Sequence, residues 1–260
     1  MLPVLPVILL LITTQRTTSW GPFTHQYFAS KDKTHAISVD FRAGASGPDS
    51  VKKIESSLHS FLFASSLYET AISNGGAAGI DFALGWGCHL THDAVGHHAN
   101  GFLNPKADHP LEFAVDTYVT FSPTPAGHFS QISSAMAELL ANASEQAAHD
   151  NPSIKAVTLS QVNSGIASFK TLTTAESIAL RLNKWTYKGQ LVKDSFCNVT
   201  NIDDVMINFA TATNWTTMAC SAWENTMQKS GGKNGTSAEE QITDYINKLF
   251  VENGGSSCRN

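Results

Sequence analysis

The chain has 260 residues, of which 42% are apolar and 15% are charged, and its formal net charge is −5. This composition is typical of a globular protein, long enough for one sizeable core or two small ones, and no repeat or low-complexity tract stands out. The negative charge argues against a broad basic surface for duplex nucleic acid, although bound metal ions would add positive charge that this sum omits.

Residues 1–19 predict a secretory signal peptide. The apolar run over residues 2–12 is too short to span a membrane, and small polar residues precede Trp20. We expect cleavage after Ser19 although a positively charged start is missing; the alternative is a buried N-terminal strand. No later apolar stretch reaches about 18 residues, so residues 20–260 are expected to be a soluble chain without a transmembrane segment. Its location would be extracellular, or the lumen of the secretory or lysosomal pathway.

Cleavage after Ser19 would make Trp20 the first residue of the mature chain. Its free α-amine could lose a proton to a metal ion and chelate that ion together with its own carbonyl. His25 follows five residues later, in the segment WGPFTH. Taken alone, this segment is better interpreted as an ordinary turn leading into a helix over residues 26–31.

Residues 41–50, FRAGASGPDS, predict a Gly/Pro loop that presents Asp49 just before a helix over residues 51–73. Asp49 or Ser50 could simply cap that helix, which is the commoner use of such residues. His59 lies within the predicted helix among apolar neighbours, where a hydrogen-bonded core histidine is the alternative to a metal ligand.

A helix is predicted over residues 79–99, because its apolar residues recur at helical spacing without an internal proline. His89, Asp93 and His97 are four residues apart, so they form one ladder on one face of that helix. His92 and His98 point away from the ladder and are weaker candidates. Two imidazoles and a carboxylate on one face predict a metal site.

His109 and Glu112 follow at a spacing of three residues and extend this set. Nitrogen and carboxylate ligands without paired thiols nearby suit Zn²⁺ at open, catalytic positions better than a closed structural site.

The rest of the chain reads as helical scaffold. Apolar periodicity between Pro-, Gly- or Asn-rich loops predicts five amphipathic helices, over residues 132–148, 154–169, 175–183, 202–229 and 237–251. The segment SPTPAG, residues 122–127, is the clearest connector, but we interpret it as a loop within a single domain, since the later helices are needed to bury the apolar faces of the earlier ones.

Four cysteines and four sequons, the latter at Asn142, Asn198, Asn214 and Asn234, agree with secretion. Four cysteines allow three pairings; we prefer a disulfide between Cys197 and Cys220 and expect Cys88 to be a small buried thiol, with Cys258 in a frayed tail.

In order, the motifs are Trp20 at a new N-terminus, His25, the G-A-x-x-P-D loop, His59, the HxxxDxxxH ladder and a following helix with His109. This ordered set resembles the zinc-dependent phospholipase C/P1 nuclease superfamily, and within it most closely the bacterial phospholipases C and the N-terminal domain of glycosylphosphatidylinositol-specific phospholipase D. The likeness covers residues 20–116 by motif. It implies an all-α fold, a single multi-helix domain with a trinuclear zinc cleft.

The resemblance also implies how the three zinc ions would be held. The first would take ligands from the loop, the predicted helix and the ladder: Asp49, His59, His89 and Asp93. The second would take the Trp20 amine and carbonyl with His25, and Asp93 would bridge it to the first. The third would be held by His97, His109 and a carboxylate. For that carboxylate Glu112 ranks first although the family's spacing is usually four residues, and Asp116 and Asp108 stay open.

By this likeness the chain is expected to be a zinc-dependent phosphoric diester hydrolase, a phospholipase C that acts on a glycerophospholipid head group during transient contact with a membrane surface. Asp49 would be the candidate general base. One alternative is a P1-type nuclease acting on single-stranded nucleic acid through aromatic stacking, although no stable nucleic-acid partner is predicted. The other is a zinc-stabilised protein that binds phosphate or lipid head groups without turnover.

Overall fold

A computed structural model of the protein describes residues 20–32, 35, 38–97, 101–103, 109–120, 129–182, 196, 199–200, 202–233 and 235–253. These residues form α-helices and no strand, so the all-α prediction is confirmed for this part of the chain. The predicted signal peptide (residues 1–19), the connector at 122–127, His98, Asp108, Cys197 and Cys258 lie outside the described residues.

The described helices are, in chain order, α1 (Pro22–Ala29), α2 (Val39–Val51), α3 (Phe61–Thr70), α4 (Gly76–Gly96), α5 (His109–Thr120), α6 (Ser134–Asp150), α7 (Leu159–Leu182), α8 (Ile202–Ser230) and α9 (Gly235–Glu252). A short 3₁₀ helix, Ser56–Leu58, precedes α3, and a π-helical segment, Ala71–Gly75, joins α3 to α4.

Helix α4 lies at the centre of the fold and packs most extensively against α2 and α8. Glycines make this close packing possible. A methyl group on Gly85 would lie 2.0 Å from the carbonyl oxygen of Phe41 in α2, and one on Gly87 would lie 2.0 Å from the indole of Trp223 in α8. Because a side chain at either position would overlap its neighbour, the two glycines set the distances between these helices.

The prediction of a loop over residues 41–50 is wrong, because this segment forms most of α2. The helix begins after Ser38, whose hydroxyl accepts a hydrogen bond from the Phe41 amide. Glycine and proline are poor helix formers, which favoured the loop interpretation. Here Gly44 and Gly47 are buried against α4, so tertiary packing outweighs the low propensity. Asp49 therefore lies in the last turn of α2 and caps no helix that follows.

The single helix predicted over residues 51–73 is also wrong. The chain turns after Val51, and α3 starts only at Phe61, where the Ser60 hydroxyl accepts from the Phe63 amide. His59 is the residue that follows the 3₁₀ helix, with φ −92° and ψ 56°, and is not helical. Because His59 is not part of a helix, no helical face fixes the direction of its side chain, which points towards His89 on α4.

Downstream, the predicted scaffold helices are present with shifts of a few residues at their ends. One difference is larger: the helices predicted over residues 154–169 and 175–183 are one continuous helix, α7. The Thr-rich segment between them favours neither helix nor loop strongly. Within the described residues no helix is both long and apolar enough to cross a bilayer.

A disulfide joins Cys88 in α4 to Cys220 in α8, with the two Cα atoms 4.7 Å apart. The predicted disulfide between Cys197 and Cys220 is therefore wrong, because Cys220 is bonded to Cys88. The expectation that Cys88 is a free thiol is wrong for the same reason. Sequence spacing could not select among the three pairings, whereas the packing of α4 on α8 brings these two residues together. Asn142 and Asn214, two of the four predicted sequon sites, are exposed on α6 and α8.

Candidate metal centre

The centre is built on the inner face of α4, where His89 and Asp93 lie one turn apart. His89 is fully buried, and its Nδ1 lies 2.9 Å from the carbonyl oxygen of Ala45 in α2. A carbonyl only accepts, so Nδ1 carries the proton and Nε2 keeps its lone pair. This arrangement, in which a second group fixes the tautomer, is how metal-binding histidines are usually oriented.

His25 comes from α1 and stacks on His89 with ring centroids 3.9 Å apart. It is fully buried, its Nε2 is 3.3 Å from Asp93 Oδ1, and its Nδ1 is 3.3 Å from Nδ1 of His92. His92 thus stands behind His25 and orients it. Sequence spacing made His92 only a weaker ligand candidate. The structure shows that His92 contacts a predicted ligand, His25, and the spacing along α4 could not reveal this contact.

His59 and Asp49 approach His89 from the other side. His59 Nε2 lies 2.9 Å from His89 Nε2 and 3.3 Å from Asp93 Oδ2. Asp49 Oδ1 lies 3.8 Å from His89 Nε2. Three residues from outside α4, namely His25, Asp49 and His59, therefore approach the turn of α4 that carries His89 and Asp93.

Asp93 lies between His25 on one side and His59 and His89 on the other. Its Oδ1 faces His25 at 3.3 Å, while its Oδ2 faces His59 at 3.3 Å and His89 at 3.4 Å. Each carboxylate oxygen can therefore serve a different ion. The donor atoms form two groups whose members all lie within 4.8 Å of one another, namely His25, His89 and Asp93, and Asp49, His59 and His89.

These residues fit zinc. Bonds of about 2.0–2.1 Å in a tetrahedral site separate neighbouring ligand atoms by about 3.3–3.4 Å, which matches the three contacts of Asp93. In addition, Asp49 Oδ1 and His97 Nε2 are buried atoms that have no hydrogen-bond partner among the described residues. Buried polar atoms without partners are costly, so a cation that accepts their lone pairs accounts for them.

The protonation states favour metal binding. Burial, reinforced by neighbouring His89, lowers the pKa of His25, and burial with His25 and His89 lowers that of His92 well below its usual value. Burial alone would raise the pKa of Asp93, but His89 and His25 more than offset it and hold the pKa well below the usual range. Asp93 is thus ionised and His25 neutral, which are the forms that bind a metal ion.

His89 differs from the other buried histidines. Burial alone would lower its pKa, but the carboxylates of Asp93 and Asp49 outweigh that effect, and the pKa is raised. In the absence of a cation, the two carboxylates therefore favour the protonated form of His89. A metal ion replaces that proton, because both use the lone pair on Nε2.

The remaining predicted ligands are His97, Trp20, His109 and Glu112. His97 directly follows α4, its amide donates to the Asp93 carbonyl, and burial lowers its pKa. Trp20 is buried beside α4, where its indole donates to the carbonyl of His92. His109 and Glu112 fall in the first turn of α5, and their side chains lie outside the described part of the structure.

Asp116, the alternative to Glu112, already has other partners. Its carboxylate accepts from the backbone amides of Phe23 and Thr24 and from the Thr24 hydroxyl. It thus caps the first turn of α1 from α5 and holds His25 in position. Burial, partly offset by these hydrogen bonds and one from Glu176, raises the pKa of Asp116 to about 6. Asp116 is therefore placed to support the centre.

A cleft of about 120 Å³ opens at Asp49 between α2 and α7. Its lining combines a cation, hydroxyl groups and apolar side chains, from Lys53, Ser164, Ser168, Phe169 and Leu172. A larger cleft of about 550 Å³ lies between α3 and α6, but it contains none of the clustered histidines. Of these two clefts, the smaller is the one lined by a residue of the metal centre, Asp49.

Comparisons with protein-family models, curated proteins and solved structures gave no match for this chain. The resemblance to the zinc-dependent phospholipase C/P1 nuclease superfamily therefore stays a prediction from the order of the motifs in the sequence.

Proposed function

We propose that this protein is a secreted zinc-dependent phosphodiesterase, a phospholipase C that cleaves the head group from a glycerophospholipid. The observation that carries the proposal is the position of Asp93, which has one oxygen facing His25 and the other facing His59 and His89, all at 3.3–3.4 Å. A bridging carboxylate of this kind is what a site for two adjacent cations needs, and such pairs are common in phosphoester hydrolases.

His25, Asp49, His59, His89 and Asp93 would hold two zinc ions, with a third expected near His97. When bound, zinc would lower the pKa of water towards neutrality and neutralise charge on the phosphate. The protein's own residues would orient these ions: Ala45 through its carbonyl to His89, and His92 through its contact with His25.

The reaction adds water across the bond between phosphorus and the glycerol oxygen. The water oxygen forms the new bond to phosphorus, the glycerol oxygen leaves with a proton, and the products are diacylglycerol and a phosphorylated head group. Asp49 is the proposed proton acceptor, because it is the carboxylate of the centre that also lines the cleft. Lys53, at the same cleft, is placed to bind the phosphate, while Phe169 and Leu172 would contact the glycerol and the acyl chains.

Secretion belongs to the same proposal. Cleavage after Ser19 would leave Trp20 as the first residue, and its indole is packed against Gly96 at the end of α4. This contact supports the proposal, because it keeps the side chain of residue 20 beside the end of the helix that carries His89 and Asp93.

The test is hydrolysis by the mature chain beginning at Trp20, run in parallel on phosphatidylcholine vesicles and single-stranded RNA, with and without a chelator. We expect phosphocholine release that the chelator abolishes and zinc restores. Asp93→Asn should lower the rate by more than about 100-fold, because even partners outside the first coordination shell contribute 10–100-fold. The matched control is Asp244→Asn, the same change at an exposed position of α9.

Each alternative has its own result. Release of nucleotides instead of phosphocholine would make the protein a P1-type nuclease. Bound zinc without hydrolysis of RNA or of vesicles carrying choline, ethanolamine, serine and inositol head groups would make it a non-catalytic binder. Equal activity of Asp93→Asn and Asp244→Asn would refute the bridging role of Asp93.

A further inference from the structure

A second cluster of ionisable side chains lies near the opposite end of α4 from the metal centre. It is formed by Asp32 and His35 from the segment after α1, Asp81 from α4 and Glu224 from α8. Asp81 and Asp93 are 12 residues apart on α4, so about 18 Å of helix separates the two clusters. The proposed hydrolysis gives this second cluster no role.

The orientation of His35 is the first observation. Its Nδ1 lies 3.1 Å from Asp81 Oδ1, and its ring stacks on Phe41 at 5.0 Å. The Asp81 carboxylate accepts the Nδ1 proton, which leaves Nε2 as the atom with a lone pair. That Nε2 is buried and has no hydrogen-bond partner among the described residues. A carboxylate on one ring nitrogen and an open lone pair on the other is the arrangement of metal-binding histidines.

The orientation of Glu224 is a second and independent observation. Glu224 is only 6% exposed, and its Oε1 points at His35 Nε2 from 4.0 Å. The same oxygen lies 3.7 Å from Cys220 Sγ, a disulfide sulfur that carries no proton to donate. Within the described residues Glu224 is thus a buried carboxylate without a hydrogen-bond donor, which is costly unless a cation or a proton is present.

Asp32 completes the set. It is 4% exposed, and its Oδ1 accepts from the His35 amide at 2.6 Å, so the two residues lie side by side. Donor atoms of Asp32, His35 and Glu224 all lie within 4.8 Å of one another. Ligand atoms on one zinc ion are about 3.3–3.4 Å apart, so small side-chain rotations bring these three donors onto one ion.

We infer that Asp32, His35 Nε2 and Glu224 form a further Zn²⁺ site, separate from the proposed catalytic centre, with Asp81 as the carboxylate that positions His35. One imidazole with two carboxylates suits zinc, whereas calcium would take oxygen ligands only. The ion would tie the segment after α1 to α8, next to the Cys88–Cys220 disulfide. The proposed hydrolysis assigns this ion no step, and the inference does not depend on the protein being a hydrolase.

The test counts Zn²⁺ bound per full mature chain, by equilibrium dialysis of metal-stripped protein against buffered zinc. Glu224→Gln keeps the side-chain shape and His35→Gln removes the imidazole; each should bind one ion fewer than the unsubstituted protein. Asp93→Asn should lose ions at the other centre, and its loss should add to that of Glu224→Gln. Glu239→Gln, exposed on α9, is the matched control and should bind the full number.

The role of Asp81 has a separate readout. Asp81→Asn should weaken binding of this one ion by about 10–100-fold while leaving the number bound at saturating zinc unchanged. Full zinc binding by both Glu224→Gln and His35→Gln would overturn the inference. Anomalous diffraction at the zinc edge decides the question without any variant: density between His35 and Glu224 is expected, and its absence in zinc-loaded crystals would overturn the site.

Discussion

Removing the Cys88–Cys220 disulfide is expected to cost a large part of the stability of the fold. The perturbation is the double substitution Cys88→Ala and Cys220→Ala, chosen because both residues are buried and alanine adds no polar group. The disulfide closes a loop with a sequence separation of 132 residues. Loop-closure entropy for that length corresponds to about 5 kcal/mol, against a total of about 5–15 kcal/mol for a typical domain.

The assay is urea unfolding of both proteins without metal, followed by circular dichroism. Because the substituted protein could unfold completely, peptide mapping of the unsubstituted protein under non-reducing conditions provides a second measurement, and we expect a fragment that links Cys88 to Cys220. Cys197→Ala with Cys258→Ala is the matched control. A stability loss below about 1 kcal/mol, or a fragment that links Cys197 to Cys220, would refute the assignment.

Three further predictions concern packing, pH and the N-terminus. Gly85→Ala should lower the free energy of unfolding by about 2 kcal/mol or more, because its methyl group would overlap the Phe41 carbonyl oxygen, 2.0 Å away; equal or higher stability in denaturant would contradict this packing. Asp116 has a folded pKa of about 6 against an ordinary 3.8, so the folded state holds its proton more tightly and stability falls as pH rises from about 4 to 6. Asp116→Asn should flatten that part of the melting-temperature profile of metal-free protein, and an unchanged profile would count against it. Adding one alanine before Trp20 should remove one zinc ion and leave the circular dichroism spectrum unchanged; full zinc content would exclude the terminal amine as a ligand.

The sequence predicted best where chemistry and helical period coincide. His89 and Asp93 are one turn apart on a long helix with clear apolar periodicity, so their shared face follows from spacing alone. It predicted worst where packing overrides local preference. The glycines and proline of residues 41–50 read as a loop, yet Gly44 lies so close to α4 that a methyl group there would be 2.1 Å from the Phe82 carbonyl oxygen.

The second cluster could not be predicted at all from one sequence. Asp32, His35, Asp81 and Glu224 come from three separate segments and share no motif. Only the packing of α8 on α4 places Glu224 opposite His35. A buried glutamate in a helix that is otherwise rich in apolar and threonine residues is the one signal, and it is visible only once the inner face of that helix is known. The carboxylates of this cluster repel one another: burial, reinforced by Asp32 and Asp81, raises the pKa of Glu224 to about 8.

The close contact of α2 with α4 links the stability of the fold to the geometry of the metal centre. Gly85 allows the contact, and one turn further along α4 His89 uses it, because its Nδ1 donates to the Ala45 carbonyl of α2. Helix α2 also carries Asp49, in its last turn. Separating the two helices would therefore move one ligand, Asp49, and weaken the hydrogen bond that fixes the tautomer of another, His89. Small residues in the segment that reads as a loop are consequently a requirement of the site, since a bulkier α2 would hold Asp49 too far from His89 to share an ion with it.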